Sequence, residues 1–159
     1  MIAELEALLG HRFRDPDLLT RALTHPSYAH EHPPADHNET LAFLGDAVVG
    51  LVVAELLLAQ APRDGAGTLT QRRALLVSAR NLAAWAVRLR VPTHLRLGRG
   101  ETQGGGVSKE SILATAFEAV VAALYLDGGL EAVQKLLSLL VQCDLNVEGP
   151  KVEGRGWPC

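Results

Sequence analysis

The chain has 159 residues, 48% of them hydrophobic and only 4% aromatic, with a formal net charge of −3. That length suits one domain able to bury roughly two-thirds of its unfolded surface, and the scarcity of aromatic side chains leaves Leu, Val and Ala to fill the core, as in helix bundles. The mildly acidic balance excludes recognition of a polyanion by overall charge, so any basic surface must be local.

In chain order, the opening run MIAELEALLG has no basic start leading into an apolar stretch and cleavage site, so a cytoplasmic location is expected. Residues 3–9 predict a short helix stopped by Gly10, and 17–23 a second one preceded by Pro16. Residues 25–38 hold Pro26, Pro33 and Pro34 and read as a loop. Its histidines, His25, His30, His32 and His37, lack the helical spacing of zinc pairs, so structural or solvent-exposed roles are expected. Asn38 is the predicted cap of a long helix that ends at Gln60. Residues 41–60 are apolar enough to raise a membrane question, but Asp46, Glu55 and two glycines argue for a helix buried at the centre of a soluble bundle, with no membrane partner.

Residues 61–70 predict a second loop, with Thr70 capping a helix that runs to about Arg90 and ends at Pro92. The Gly-rich stretch 98–109 matches neither the dinucleotide nor the Walker pattern and reads as a flexible connection. Residues 110–127 form a strong helical pattern closed by Gly128-Gly129, and 130–144 a last amphipathic helix. Trp85 and Tyr125 are expected in the core. The sum is an all-α bundle of about seven helices over residues 1–146, with 147–159 a poorly ordered tail that includes Trp157.

Chemistry concentrates in HNETLAFLGDAVV, residues 37–49. On a helix of 3.6 residues per turn, Glu39, Ala42 and Asp46 share one column: a carboxylate ladder with a rung missing. Acids in an apolar helix are costly unless paired, hydrogen-bonded or metal-bound. On the later helix Thr115 and Glu118 also share a face, so two packed helices would aim Asp46 and Glu118 at a common point. Oxygen ligands of that kind suit Mg²⁺ or Mn²⁺; the alternative is that both acids hydrogen-bond within the helix junction and bind nothing. Arg72, Arg73, Arg80, Arg88, Arg90, Arg96 and Arg99 make the middle third basic, either as a solvated helix face or as a binding surface.

These residues resemble the ribonuclease III catalytic domain. Its N-E-R-L-E-F-L-G-D-A string corresponds to Asn38-Glu39-Thr40-Leu41-Ala42-Phe43-Leu44-Gly45-Asp46-Ala47. LLTRALTHPSY before it, and LTQRRALLVS, LRLGRGE and KESILATAFEAVVAALYLDGG after it, resemble family blocks in the right order, from about Gly10 to Gly129. The resemblance implies an all-helical endonuclease fold that dimerises and cuts double-stranded RNA with Mg²⁺. It implies Glu39, Asp46 and Glu118 as catalytic acids, Asp46 and Glu118 as metal ligands, and Phe43 as the aromatic that enters a pocket on the partner, where core packing is the alternative. RNA contacts are then expected from Arg72, Arg73 and Arg99.

Carried over by position, the family's acidic residues fall at 39, 42, 46, 66, 115 and 118, and three are neutral here: Ala42, Ala66 and Thr115. Asp64 lies two residues before Ala66 and would substitute only if the loop shifted. Natural loss and engineered neutralisation would both produce this pattern; threonine at 115 and the neutral Ala66 favour natural loss. Two dications held roughly 3.5–4 Å apart repel strongly and need several anionic ligands, so losing carboxylates weakens such a site steeply. The expectation is therefore a homodimer that binds double-stranded or structured RNA, with Mg²⁺ or Mn²⁺ held weakly or not at all and cleavage impaired or absent. An active endoribonuclease, a ribosome-assembly protein, and a non-catalytic partner dimerising with an intact paralogue stand as alternatives. The family's usual C-terminal double-stranded RNA binding domain has no counterpart in these 159 residues.

Overall fold

The computed structural model describes residues 2–146; the expected tail, 147–159, lies outside them. Among the described residues eight α-helices are assigned: α1 (Ile2–Leu9), α2 (Pro16–Ala22), α3 (Pro26–Glu31), α4 (Glu39–Gln60), α5 (Ala66–Leu76), α6 (Ala79–Arg88), α7 (Arg99–Gln103) and α8 (Glu110–Asn146). No strand is assigned among them; one isolated parallel bridge joins Thr24 to Arg96. The all-α reading holds, and the count exceeds seven because three expected segments divide or fold locally.

The stretch read as a loop over 25–38 contains α3. Pro26 opens it with its φ already set for a helix, and His25 caps it, its Nδ1 accepting from the Ser27 amide at 3.2 Å. The single helix expected over 70–90 breaks after Leu76. Ser78 restarts it as α6 by accepting from the Asn81 amide at 3.3 Å, while Asn81 Nδ2 donates to the Leu76 carbonyl at 2.8 Å. Thr70 is not a cap but an interior residue of α5. The Gly-rich connection also coils, into α7 and a 3-10 turn at Gly106–Ser108.

Asn38 precedes α4 without a side-chain capping bond; its side-chain Nδ2 donates instead to the Ala22 carbonyl at 3.3 Å, tying the start of α4 to α2. Arg21 reinforces the tie from α2, reaching the His37 carbonyl at 3.3 Å and the Thr40 hydroxyl at 2.6 Å. Glu39 thereby sits at a fixed point on the helix entry.

α4 and α8 are the central pair, with α6 and α2 packed on α8 and α5 on α4. Both central helices are long and apolar enough to cross a bilayer, yet each turns much of its apolar surface into the bundle: Val48, Val49, Val52 and Val53 of α4, and Phe117, Val120, Val121 and Leu124 of α8, are buried. Trp85 from α6 meets Phe117 with ring centroids 5.6 Å apart, and full burial of each such side chain is worth about 1.5–3 kcal/mol. The Trp85 indole nitrogen donates to Asp144 at 2.8 Å, and Arg88 pairs with the other Asp144 oxygen at 2.6 Å, so a carboxylate near the end of α8 is held by α6.

The expected stop at Gly128-Gly129 is a break inside α8, where Gly129 adopts φ 77°, a left-handed conformation that an L side chain rarely tolerates. Asp127, just before it, is buried and accepts from His11 at 2.7 Å and from the main-chain amides of Arg14 and Asp15 at 3.1 Å each, while the Arg14 guanidinium donates to the Asp127 carbonyl. Burial by itself would raise this carboxyl. The His11 bond, the two amides and the Arg14 charge more than offset it and hold the pKa down at about 2. Tyr125 does not join the core; it is partly exposed, in a run so uniformly apolar that helical phase could not be read from it.

Candidate active site and nucleic-acid surface

The site is built where α4 crosses α8. A β-carbon added at Gly45 would overlap the main-chain carbonyl of Glu118 and lie 3.0 Å from its Cα, so the two backbones touch with no room for a side chain. This contact sets the next residue of α4, Asp46, beside Glu118. Asp46 is exposed and Glu118 half-buried. Burial of Glu118, and then the negative charge of Asp46, push its carboxyl up to about 7. Two carboxylates from distant parts of the chain thus share one small region.

The remaining expected positions behave differently. Ala42 is 6% exposed and belongs to the core cluster, on the flank of α4 that is packed rather than on the open face with Glu39 and Asp46. Glu39 is exposed, its Oε2 3.7 Å from His37 Nδ1. Thr115 is half-buried, one turn before Glu118 on α8. Ala66 is the first residue of α5, exposed, and not part of a loop. Asp64 is taken up by an ion pair with Arg72 at 3.0 Å, so its charge is answered within its own segment and no loop shift brings it into the site. Among the described residues no group of three or more His, Cys, Asp or Glu side chains is placed to hold a metal ion.

The arginines divide into two sets. Arg72, Arg88 and Arg90 are paired with Asp64, Asp144 and Glu4, and Arg96 lies over the Tyr28 ring at 4.3 Å while donating to its hydroxyl at 2.9 Å. Arg73, Arg80 and Arg99 are exposed and have no ion-pair partner among the described residues. Arg72 and Arg73 ride on α5, whereas Arg99 opens α7, fixed against α3 by the Glu31 carboxylate, which accepts from the Arg99 amide at 2.9 Å, and by Ser27, which accepts from the Gly98 amide at 2.9 Å. Nothing in residue type marked Glu31 or Ser27 as the anchors of that loop.

Phe43 is 85% exposed, which excludes the core alternative. It begins an open apolar stripe on α4 that continues through Ala47, Leu51 and Leu58 at helical spacing.

Fold and site together define an all-α bundle with a carboxylate pair on two crossed helices and an exposed aromatic beside it. The family model for ribonuclease-III-like domains matches residues 15–142. Ribonuclease 3 of Syntrophobacter fumaroxidans is 47% identical over 146 residues, covering 91% of this chain and 60% of that protein. Ribonuclease 3 of Symbiobacterium thermophilum is 51% identical over 129 residues, covering 81% and 54%. Among solved structures, a nuclease domain of ribonuclease III from Campylobacter jejuni superimposes with a TM-score of 0.83 at 36% identity, covering 90% of this chain and 97% of that one. The chain belongs to the ribonuclease-III-like family. It spans about 60% of the length of the first of these curated relatives.

The family relationship implies Mg²⁺, and the donor set here can be tested against it. Asp46 and Glu118 supply two hard anionic oxygens groups whose mutual repulsion a dication would relieve, and Thr115 adds a neutral hydroxyl one turn away. Asp46 and Glu118 are the residues that would hold one hard divalent ion. The set does not suit two ions roughly 3.5–4 Å apart, which need bridging and flanking carboxylates that Ala42, Ala66 and Thr115 do not provide.

Proposed function

We propose that this domain binds double-stranded or structured RNA as a homodimer and cleaves phosphodiesters poorly or not at all. The observation that carries this reading is the pairing of an intact Gly45–Glu118 crossing, with Asp46 beside it, and neutral residues at 42, 66 and 115. The scaffold that would aim the acids is retained while half of the expected acids are gone. Phe43 and the stripe behind it are the proposed dimer contact, an apolar surface that water otherwise covers at a cost. A two-fold dimer would set two copies of Arg73 and Arg99, with Arg72 behind its Asp64 pair, along one duplex, which proteins read mainly through phosphate and 2′-hydroxyl contacts. Such binding falls steeply with salt. Mg²⁺ or Mn²⁺ is held weakly, and the domain works in the cytoplasm without a membrane partner.

Retention of Asp46, Glu118 and Glu39 favours a second reading, residual metal-dependent cleavage. Pairing with an intact paralogue through the same Phe43 face is the third. Labelled duplex RNA incubated with the protein and Mg²⁺ or Mn²⁺, scored for gel shift and cleavage in one sample, separates them. Salt-sensitive shift without products supports the proposal; products abolished by Asp46→Asn establish the second reading; neither shift nor products leaves only the third.

A further inference from the structure

We propose that Cys143 and Cys159 are a reversible disulfide pair whose closure straps residues 147–159 into the groove between α1 and α8. Cys143 is disulfide-bonded, and the sequence holds one other cysteine, Cys159, as its last residue. The attachment point on α8 is rigid: the adjacent Asp144 accepts from the Trp85 indole at 2.8 Å and pairs with Arg88 at 2.6 Å. Beside it runs an open groove of about 820 Å³, lined in part by Leu8, Gly10, Leu136, Leu139 and Gln142. Leu136, Leu139 and Cys143 follow one another at intervals of three and four residues and so share a face of α8. Leu139 is 45% exposed, an apolar side chain left uncovered in that groove. Asp46, Glu118, Arg73 and Arg99 do not line it, which makes this surface separate from the candidate site.

Chain length and residue type name the occupant. The residues after Asn146 span about 43 Å when fully extended, so a segment that leaves α8 and returns to Cys143 reaches out about 20 Å. Between Glu131 and Gln142 the groove follows α8 for about 17 Å, a matching length. Gly149-Pro150 is a turn signal for the reversal, and Trp157, two residues before Cys159, brings a large apolar side chain for Leu139. Closure proceeds by exchange with a small-molecule disulfide such as oxidised glutathione. One cysteine thiolate bonds to half of that disulfide and expels the other half as a thiol. The second cysteine thiolate then displaces the first half. Both protein sulfurs are oxidised, the small disulfide is reduced to two thiols, and these take up the two protons that the cysteines lose. Excess thiol runs the exchange backwards and opens the strap.

The test compares the full chain equilibrated with oxidised glutathione against the same protein in a phosphine reductant. Mass spectrometry of a non-reduced digest should find Cys143 linked to Cys159 within one chain. A crosslink that closes a slack loop restrains folded and unfolded chains alike, whereas one that holds a docked segment restrains chiefly the unfolded chain. Oxidation should therefore raise the unfolding temperature by at least about 5 °C. Because Trp85 is fully buried, a fall in acrylamide quenching on oxidation reports shielding of Trp157. Cys159→Ser should abolish the linkage and both responses. Leu139→Asp, at a surface position, should still form the linkage but lose the rise and the shielding. Absence of the linkage, or cysteines joined only between two chains, would overturn the proposal. So would a linkage that changes neither stability nor quenching, or responses that persist in Leu139→Asp.

Discussion

Gly45 of α4 and Glu118 of α8 meet backbone to backbone, too near for a β-carbon at position 45. Replacing Gly45 with alanine sets two effects against each other. Helix propensity favours alanine by about 1 kcal/mol, whereas forcing a methyl group into a packed main-chain contact costs about 1–3 kcal/mol or more. The overlap with a carbonyl that cannot move aside should win, with a net loss of about 2 kcal/mol. Urea unfolding of Gly45→Ala measures it, and an unchanged or raised midpoint would mean the crossing is looser than described.

Glu118 titrates in the opposite sense from most stabilising carboxylates. Its folded pKa of about 7 lies above its ordinary value of 4.5, first through burial and then through Asp46. Below pH 4.5 the proton is bound in both folded and unfolded chains and nothing is lost; as pH rises through 7 the folded state must carry the charge. Stability without metal should therefore fall between pH 4.5 and 7. Glu118→Gln should be more stable than the parent by about 1–2 kcal/mol at pH 8, after allowance for solvent screening, and equal to it near pH 4.5. Thermal unfolding in chelator at both pH values checks the sign.

Asp127 works the other way. Held at about 2 against an ordinary 3.8, it stabilises the fold above pH 4, and that contribution disappears as pH falls through 2. Asp127→Asn should lose about 2 kcal/mol or more at pH 7, through weakened bonds to His11, Arg14 and Asp15, and should show a flatter stability profile between pH 4 and 2. Denaturant midpoints across that window give the comparison.

Phe43→Ala separates assembly from folding. Because the side chain is 85% exposed, the change should leave monomer stability within about 0.5 kcal/mol. Sedimentation equilibrium should show a dimer in the parent and a shift toward monomer in the variant. A parent that sediments as a monomer at high concentration would remove the proposed contact.

Restoring the acids tests the proposed loss of cleavage. The triple change Ala42→Glu, Ala66→Glu and Thr115→Asp should bring a gain of Mg²⁺-dependent cutting of duplex RNA, with some loss of stability because Ala42 is buried. A folded triple variant that still makes no products would place the cause elsewhere.

The helical class, the long apolar helix through Asp46, the glycine break at 128–129 and the residues at the six expected acidic positions were all legible in the linear chain, because periodicity, turn chemistry and residue type are local properties. The split between α5 and α6 was legible in part: Ser78 three residues before Asn81 is a capping signal hidden within an apolar pattern. What only tertiary structure decided was which of these residues meet. Convergence of Asp46 on Glu118 depends on a contact between helices far apart in sequence. Engagement of Asp64 by Arg72, exposure of Phe43 and Tyr125, and burial of Ala42 depend on which helix face finds a neighbour. Packing is a relation between segments, and no window along one segment contains it.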